Sequence, residues 1–355
     1  MRKMQRIFLT VIMLLLADIV KYGRKSVSFF SRINYEVDIF MRKHAYLVIA
    51  HNNFQQLEFL LSLLDDEKND IFLLIDKKSE ISASVLKSLN ESCNKSIFTL
   101  VERVKINWGG YSQIKAELIL LKAAVHNNYN YYHLISGSDL PLFSQDYIHE
   151  FFDKNPNKIF LSMVNDEIKE RNNVVGRIKY KHYFNEIYGN FRGNYVGKLI
   201  SKCDQLSICL QQLLKKEDVL KKKGIKYVGY SSQWFSIDNE TAKMIVDKSK
   251  YIESVFKKSF LSDEVFLPTM IFKENLDYKL YTKHTLHDIP NELQGNLRYI
   301  NWWESSLTDG SPYVWQDGDE EQLAYAADLG HLFARKFDLK KSPALKNFIL
   351  EKCQK

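Results

Sequence analysis

The sequence predicts an α/β fold with a mainly parallel, Rossmann-like sheet and helices on both faces. From residue 44 onward, short apolar runs alternate with longer periodic ones, as in a series of strand–helix–strand units. Polar and small residues follow the apolar runs, at the end of the strands where parallel sheets bind ligands. The composition, with 45% hydrophobic and 26% charged residues among 355, is typical of a globular protein.

Four short apolar runs predict the strands of the sheet. Each contains β-branched or aromatic residues and is bounded by polar ones, which favours a buried strand over a helix. The predicted strands are Ala45–Ala50, Ile71–Ile75, Ile97–Val101 and Tyr131–Ile135. His51, Asp76 and Ser136-Gly137-Ser138-Asp139 stand at or near their carboxyl ends.

Periodic segments between these runs predict the helices. Phe54–Leu64 and Ser82–Leu89 connect the first three strands, and a third helix begins at Ser112, whose hydroxyl is expected to cap its first turn. One face of that helix carries apolar residues at helical spacing, namely Ile114, Leu118, Leu121 and Val125.

The second half of the chain is less regular. Residues 165–235 are polar, aromatic and basic, and predict long loops and helices over the sheet. Tyr227–Ile237 returns to strand character. Three further helices are predicted over Thr241–Lys248, Ser262–Ile271 and Leu323–Phe333. No linker divides the chain after residue 41, so residues 41–355 are expected to form one domain.

Residues 1–40 are predicted to form an extension before this domain, and two interpretations of this extension are open. Ile7–Val20 is apolar apart from Asp18, and as a helix it would reach about 21 Å, short of the roughly 30 Å of a bilayer core. It therefore suits a short anchor on the membrane surface. Alternatively, Met41 is the true start, because two basic residues and a core strand follow it.

Charge and motifs exclude several classes of protein. A net charge of +7 favours anionic partners, but no nucleic-acid-binding signature occurs. Neither a P-loop nor a dinucleotide fingerprint is present, and the nine histidines show no zinc-binding spacing. The four cysteines form no CxxC pair, which fits a reducing compartment.

Six motifs in order resemble the core-2/I-branching β-1,6-N-acetylglucosaminyltransferase family, which includes the peptide xylosyltransferases. The resemblance covers residues 44 to 340. The motifs are Trp108-Gly109-Gly110-Tyr111-Ser112, Tyr132–Leu142, Ser232-Gln233-Trp234-Phe235, Asp263-Glu264, Leu297–Trp302 and Leu332–Asp338. Because the disulfides of animal members are not evident, the chain is similar to bacterial, cytoplasmic members.

The resemblance implies a GT-A-type fold, with a nucleotide-binding half and an acceptor-binding half, and an inverting reaction that needs no metal ion. Metal-dependent sugar transferases usually hold the ion with an Asp-x-Asp triplet. Here the only such triplet is Asp317-Gly318-Asp319, far from the first strands and before a predicted helix, which favours an acidic helix-opening turn.

On the acceptor side, the resemblance implies that Glu264 is the catalytic base. Asp263 is its neighbour, holding backbone or acceptor, although a carboxylate in a first helical turn is more often a partner of the helix dipole. Asp139 is a further candidate for acceptor binding. Trp302 is a candidate for stacking on an acceptor sugar, with a core tryptophan as the alternative.

On the donor side, the resemblance implies that fixed cations take the charge of the leaving diphosphate. Lys336 matches the family's phosphate-binding lysine, and Arg335 lies beside it. The second basic residue of animal members falls near Tyr313, so Arg335 or Arg298 is expected to replace it. His51 and Asp76 end strands where they suit uridine and ribose.

The expected reaction is transfer of N-acetylglucosamine from UDP-N-acetylglucosamine, in β linkage, to a glycan hydroxyl of surface polysaccharide or lipooligosaccharide. A xylosyl- or hexosyltransferase and an inactive sugar-nucleotide-binding module are the alternatives. No metal or other cofactor is expected. The expected location is the cytoplasm at the inner face of the membrane, with peripheral membrane contact, or anchorage through residues 7–20.

Overall fold

A computed structural model describes residues 43–214, 218–304 and 311–354. The predicted extension 1–40, with its apolar segment, lies outside the described residues. From His44 onward the chain forms one compact unit. None of the helices within the described ranges is long and apolar enough to cross a bilayer. Cys93, Cys203, Cys209 and Cys353 are all free thiols.

A five-stranded sheet forms the centre of the molecule. Its strands are β1 (His44–Ala50), β2 (Asn69–Ile75), β3 (Ile97–Leu100), β4 (Tyr131–Ser136) and β6 (Ser236–Asp238), in the order β3-β2-β1-β4-β6. The first four strands are parallel, and β6 pairs with β4 antiparallel. The mainly parallel sheet predicted from the sequence is therefore confirmed.

Helices cover both faces of this sheet. Alternate residues of β1 enter opposite cores: Ala45 and Leu47 pack on one side, and Tyr46 and Val48 on the other. Helix α1 (Phe54–Leu64) packs on the Tyr46 side, with α2 (Ala83–Glu91) beside it, while α3 (Ser112–Ala124) packs on the Ala45 side. A sheet buried on both faces explains why its strands read as continuous apolar runs.

A second, three-stranded sheet connects the centre of the chain to its last third. It consists of β5 (Asp139–Pro141), β8 (Phe333–Arg335) and β7 (Arg298–Ile300), in that order. β5 pairs antiparallel with β8, which places Asp139 opposite Arg335, and β7 runs parallel to β8. Three motifs that are distant in sequence thus meet at one place.

The remaining helices lie mainly in the second half of the chain. In order they are α4 (Gln145–Lys154), α5 (Asp166–Arg171), α6 (Gly176–Lys179), α7 (Asn185–Tyr188), α8 (Tyr195–Leu213), α9 (Val219–Lys222), α10 (Asn239–Asp247), α11 (Ser249–Phe256), α12 (Asp263–Lys273), α13 (Glu320–Asp328) and α14 (Ala344–Gln354). The predicted loops and short helices of residues 165–235 are among them.

Helix α8 exposes an apolar stripe. Leu199, Leu206, Leu210 and Leu213 recur at intervals of seven, four and three residues, and each is more than half exposed. Lys198 and Lys202 are exposed on the same helix. The opposite face buries Gly197 and Gln211. The exposed leucine stripe is the largest group of exposed leucines on one helix among the described residues.

Three sequence expectations need correction. Only Ser236 and Ile237 of the predicted strand Tyr227–Ile237 lie in β6, because before them the Phe235 carbonyl accepts from the Leu134 amide without a continuous ladder and Ser231 forms only an isolated bridge with Met163. The predicted helix Leu323–Phe333 ends at Asp328, and Phe333 begins β8. The Ser112 hydroxyl does not cap α3; it donates to Glu186 and accepts from the Asn107 amide.

Candidate active site

The ends of β1 and β2 carry residues that were predicted to bind the donor, and this part of the site is called the donor side. His51 is exposed directly after β1, and Asp76 follows β2 with little exposure. Asp76 Oδ1 accepts from the amides of Lys78, at 2.9 Å, and Ile106, at 3.3 Å. The carboxylate therefore shapes the loop that follows β2, with its second oxygen 3.7 Å from the Lys78 ammonium.

Lys336 completes the donor side from the other end of the chain. Partial burial lowers the pKa of His51, and the positive charges of Lys336, Arg335 and Lys78 lower it further, while Asp76 opposes them. Lys336 Nζ donates to the Ser311 hydroxyl at 3.4 Å and is partly exposed. The structure thus brings together four predicted donor residues: His51, Asp76, Arg335 and Lys336.

Asp139 lies inside the protein instead of facing an acceptor. Its carboxylate is fully buried and accepts from the Ser136 amide at 2.7 Å and from Arg335 Nη1 at 2.7 Å. Arg335 also stacks on Trp234, 4.5 Å from the ring centre. This burial corrects the acceptor-binding prediction for Asp139, whose carboxylate instead fixes Arg335 next to Lys336.

Arg298 is also buried, with 1% of its surface exposed. Its guanidinium donates to the backbone carbonyls of Asn296 and Phe235, the latter at 2.7 Å. Burial lowers its pKa to about 10. A phosphate contact requires a guanidinium at the crevice surface, so the structure corrects this prediction too. Arg298 links β7 to the residues before β6.

The acidic pair Asp263-Glu264 opens helix α12 on the acceptor side. Asp263 is buried, and its Oδ2 accepts from Gln113 Nε2 at 2.6 Å. Gln113 Oε1 in turn accepts from the Gly109 amide at 2.7 Å. Gln113 therefore ties the Trp108–Ser112 motif to the acidic pair. Its position one residue after that motif is the signal that could have identified it.

Burial raises the pKa of Asp263 above its usual range, and the neighbouring Glu264 charge raises it further. A second carboxyl group lies behind it: Glu117 is fully buried in α3 and accepts from Gln233 Nε2 at 3.0 Å. Burial and the charge of Asp263 raise the pKa of Glu117 as well. Asp263 and Glu117 therefore bind protons more readily than exposed carboxyl groups do.

Arg177 holds Glu264 in place. Its Nη1 donates to Glu264 Oε2 at 3.0 Å, and its guanidinium lies 5.1 Å from the centre of the Tyr230 ring. The Glu264 side chain remains 28% exposed. The sequence does not reveal Arg177 as a partner of Glu264, because the two lie 87 residues apart and Arg177 stands in a basic stretch without a recognised motif.

A cavity of about 540 Å³ opens at this pair. Asp263, Glu264 and Arg177 line it together with Trp108, Trp302 and Trp303. Three indole rings beside a carboxylate suit a sugar, whose apolar face can pack on an aromatic ring. Trp302, predicted to stack on an acceptor, is thus in the wall of the cavity that holds Glu264.

The Trp108–Ser112 loop is fixed by its glycines. Gly109 has φ +78°, and a Cβ there would approach Phe260 to 2.8 Å; at Gly110 it would lie 2.5 Å from Glu186 Oε2. Glu186 accepts from the Ser112 amide at 2.9 Å. The close approach presses the loop against α7 and presents Trp108 to the cavity.

The Asp317-Gly318-Asp319 triplet has structural partners. Asp317 Oδ1 accepts from the Ala344 amide at 3.0 Å, at the start of α14. Asp319 immediately precedes α13, and its Oδ2 accepts from the Gln316 amide at 2.7 Å. The Asp317 carboxylate thus stabilises the start of α14, whereas Asp319 holds the turn before α13 and makes no side-chain cap hydrogen bond to that helix.

Two solved structures resemble the chain weakly. Core-mannan synthase A from Aspergillus fumigatus, in a manganese and GDP form, is 11% identical, with a TM-score of 0.31 over 64% of this chain and 69% of that one. Mouse xyloside xylosyltransferase 1 is 9% identical, with a TM-score of 0.31 over 73% and 89%.

Among curated proteins, none matches the sequence significantly. The family profile of the core-2/I-branching enzymes, however, matches residues 44–323, from the first residue of β1 into α13. This range contains all the residues named above as lining the cavity and all but the last of the six motifs. The chain therefore belongs to the core-2/I-branching enzyme family, and it is a glycosyltransferase.

Proposed function

We propose that the protein is an inverting, metal-independent transferase that moves one sugar from a nucleotide-sugar donor to a glycan hydroxyl. The best candidate is N-acetylglucosamine from UDP-N-acetylglucosamine, in β linkage. The observation that carries the proposal is the placement of Glu264, held by Arg177 in the wall of a cavity that also contains Trp302.

In this mechanism the acceptor hydroxyl lies between Glu264 and the anomeric carbon of the donor. Glu264 removes the hydroxyl proton while the oxygen forms a bond to that carbon. The bond from carbon to the diphosphate oxygen breaks on the opposite face, and UDP leaves with the electron pair. General base catalysis of this kind contributes roughly 10²–10⁴-fold.

The leaving diphosphate would be stabilised by side chains. Lys336 supplies a positive charge, and Arg335, fixed by Asp139, raises the local potential. Because its pKa is lowered, His51 is neutral at pH 7 and donates a hydrogen bond without requiring a proton from solvent. Preorganised donors of this type replace the charge of a metal ion.

We also propose a biosynthetic pathway for this reaction. Surface polysaccharide or lipooligosaccharide synthesis at the inner face of the membrane, in a bacterial-type enzyme, fits a sugar-nucleotide donor. A xylosyl- or hexosyltransferase is the alternative on the same scaffold. An inactive binding module is the less favoured interpretation, because Glu264 stays partly exposed beside Arg177 and Lys336 adds positive charge near His51, as the proposed reaction requires.

Peripheral membrane contact is a further part of the proposal. The exposed leucine stripe of α8 would enter the headgroup region, and Lys198 and Lys202 would face anionic lipid. An amphipathic helix with an apolar face and basic flanks binds membranes in this manner. Such contact would place the cavity near lipid-linked acceptors.

The first test replaces Glu264 with Gln, which keeps the size of the side chain and removes the base. We expect kcat for transfer from UDP-N-acetylglucosamine to fall by about 10²–10⁴-fold, with UDP affinity unchanged in calorimetry. Glu253→Gln makes the same change on an exposed helix and serves as the control. A Glu264→Gln enzyme within threefold of the wild type would exclude Glu264 as the base.

The second test adds EDTA to the transfer reaction. We expect the rate of UDP release to stay within about twofold, because Lys336 and Arg335 supply the positive charge instead of an ion. Loss of activity that is restored by Mn²⁺ or Mg²⁺ would contradict the metal-independent mechanism.

A further inference from the structure

A cluster of two histidines and one glutamate lies on the loop that precedes β7. Glu292 Oε1 is 2.9 Å from His284 Nε2 and 2.7 Å from His287 Nδ1. The three possible ligand atoms all lie within 4.8 Å of one another. Among the described residues this is the only group of three or more such side chains. Sequence spacing alone had indicated no zinc site.

The loop that carries the cluster is held by the body of the protein. Leu286, between the two histidines, is buried, and its amide donates to the Met163 carbonyl at 2.8 Å. The Leu286 carbonyl accepts from the Asn165 amide at 3.1 Å. These two hydrogen bonds hold the backbone between His284 and His287 in place, so both histidine side chains project from a segment that is attached to the rest of the protein. The geometry therefore does not depend on a free loop.

The glutamate is also oriented before any ion binds. Glu292 is 9% exposed, and its Oε2 accepts from the His287 amide at 2.7 Å. This hydrogen bond leaves Oε1 directed at both imidazoles. Outer hydrogen bonds that fix a ligand in this way are a regular feature of protein metal sites. The histidines, in contrast, are 52% and 56% exposed, so an ion has access from solvent.

We propose that His284, His287 and Glu292 form a Zn²⁺ site with three protein ligands. Two imidazole nitrogens and one carboxylate are a ligand set that zinc accepts, with a water molecule in the fourth position. Ligand atoms of one zinc ion, each about 2.1 Å from the metal, lie at most about 4.2 Å apart, a spacing that small rotations of the exposed rings provide.

Binding replaces two hydrogen bonds with three bonds to the metal, two from imidazole nitrogens and one from the Glu292 carboxylate. In the structure, His284 Nε2 and His287 Nδ1 both face the same carboxylate oxygen. On zinc binding, each ring would present a lone pair at that nitrogen and carry its proton on the other one. No oxidation or covalent step is involved.

The site lies beside the cavity of the acidic pair. His287 and the adjacent Asp288 line the same cavity as Glu264 and Trp302. None of the three ligands belongs to the donor side, where Lys336 and His51 lie. A zinc ion here would thus lie beside the cavity that contains Glu264 and would use none of the donor-side residues. The proposal needs no assumption about the reaction.

The test is calorimetric titration of the EDTA-stripped and dialysed full chain with ZnCl₂. We expect one saturable site, and His284→Ala and Glu292→Gln should weaken binding by about 100-fold, the upper end of effects seen around metal ligands. His126→Ala removes an exposed histidine elsewhere and should bind as the wild type does. Circular dichroism checks that each variant is folded.

Cobalt gives a second measurement. A tetrahedral Co²⁺ complex has visible absorption bands that should be present in the wild type and absent in His284→Ala. Because His284 is half exposed, its loss should not unfold the chain. Absence of saturable Zn²⁺ binding, or equal affinity in the wild type and His284→Ala, would overturn the proposal. The outcome is independent of the Glu264→Gln experiment, which measures transfer.

Discussion

At the scale of single residues, Asp139 and Arg335 show how the fold prepares its charged groups. The two are 2.7 Å apart, with Asp139 fully buried and the Arg335 side chain 15% exposed. The pair spans β5 and β8, whose register places the same two residues opposite each other. The pair thereby holds the Arg335 guanidinium against the Trp234 ring. It also fixes the backbone from which the next side chain, that of Lys336, projects.

Asp139→Asn should destabilise the protein markedly. The change removes one partner of a buried ion pair and leaves the other charge unpaired, which typically costs about 3–5 kcal/mol. Urea unfolding followed by circular dichroism measures the difference. Asp146→Asn is the matched control, because Asp146 is 87% exposed and lies 3.7 Å from Lys68. A loss below about 1 kcal/mol would show that Arg335 finds another partner.

The sequence predicted which residues belong to the site motifs more reliably than it predicted whether their side chains are buried or exposed. Glu264 and Trp302 share a cavity, as the motifs suggested. Asp139 and Arg298, however, resemble ligand-binding residues equally well in sequence and are buried by the pairing of β5, β7 and β8. Burial of a polar side chain depends on tertiary packing, which local spacing does not encode.

At the scale of elements, length decides what a sequence can predict. β1, β2 and β4 have six or seven residues and strong apolar patterns, and all were predicted within a few residues. β5, β7 and β8 have three residues each and form only because they pair with one another. A three-residue strand carries no periodic signal, so the second sheet was not predicted.

Helix α8 carries the prediction for membrane contact. Replacing Leu206 and Leu210 together with Ser should reduce co-sedimentation with vesicles that contain phosphatidylserine by about tenfold, since both side chains lie in the exposed stripe. Transfer to a soluble acceptor should be unchanged. Replacing Gln205 and Gln212, which are exposed on the same helix, with Ser is the control.

Two other results would contradict membrane contact through α8. Equal sedimentation of the wild type and the leucine variant would assign any lipid binding to another surface. If the wild type is dimeric in solution and the leucine variant is monomeric, the stripe instead forms a helix–helix interface between two copies of the protein.

At the scale of the whole molecule, five histidines are buried among the described residues, and four of them have lowered pKa values. His133 Nδ1 contacts the Ser236 hydroxyl at 2.7 Å, and His133 Nε2 contacts His44 Nδ1 at 3.1 Å. Burial lowers the pKa of both well below the usual range, and lowers the pKa of His149 and of His331 to about 4. All four are therefore neutral in the folded state at pH 7.

Stability should fall as the pH is lowered from about 6.5 to about 4. In that window the unfolded chain binds protons at these histidines and the folded chain does not, so each contributes up to about 1.4 kcal/mol per pH unit. The raised pKa values of Glu117 and Asp263 act in the opposite direction, but the histidines outnumber them.

Urea unfolding at several pH values measures this dependence. His149→Asn should make the slope shallower by about 1.4 kcal/mol per pH unit, whereas His126→Asn, on the surface, should leave it unchanged. A stability that stays constant between pH 6.5 and 4.5 would mean that the imidazoles take up protons inside the fold.

The order of the strands also has a consequence for synthesis on the ribosome. β1, β2, β3 and β4 all lie within residues 44–136, so the parallel part of the sheet emerges early. β6, which covers the edge of β4, follows only at Ser236–Asp238, and Glu264 and Lys336 come later still. Until β6 arrives, the growing chain presents an open strand edge, where pairing with a neighbouring chain competes with folding. A chain released before that point would contain four of the five strands of the central sheet and lack both Glu264 and Lys336.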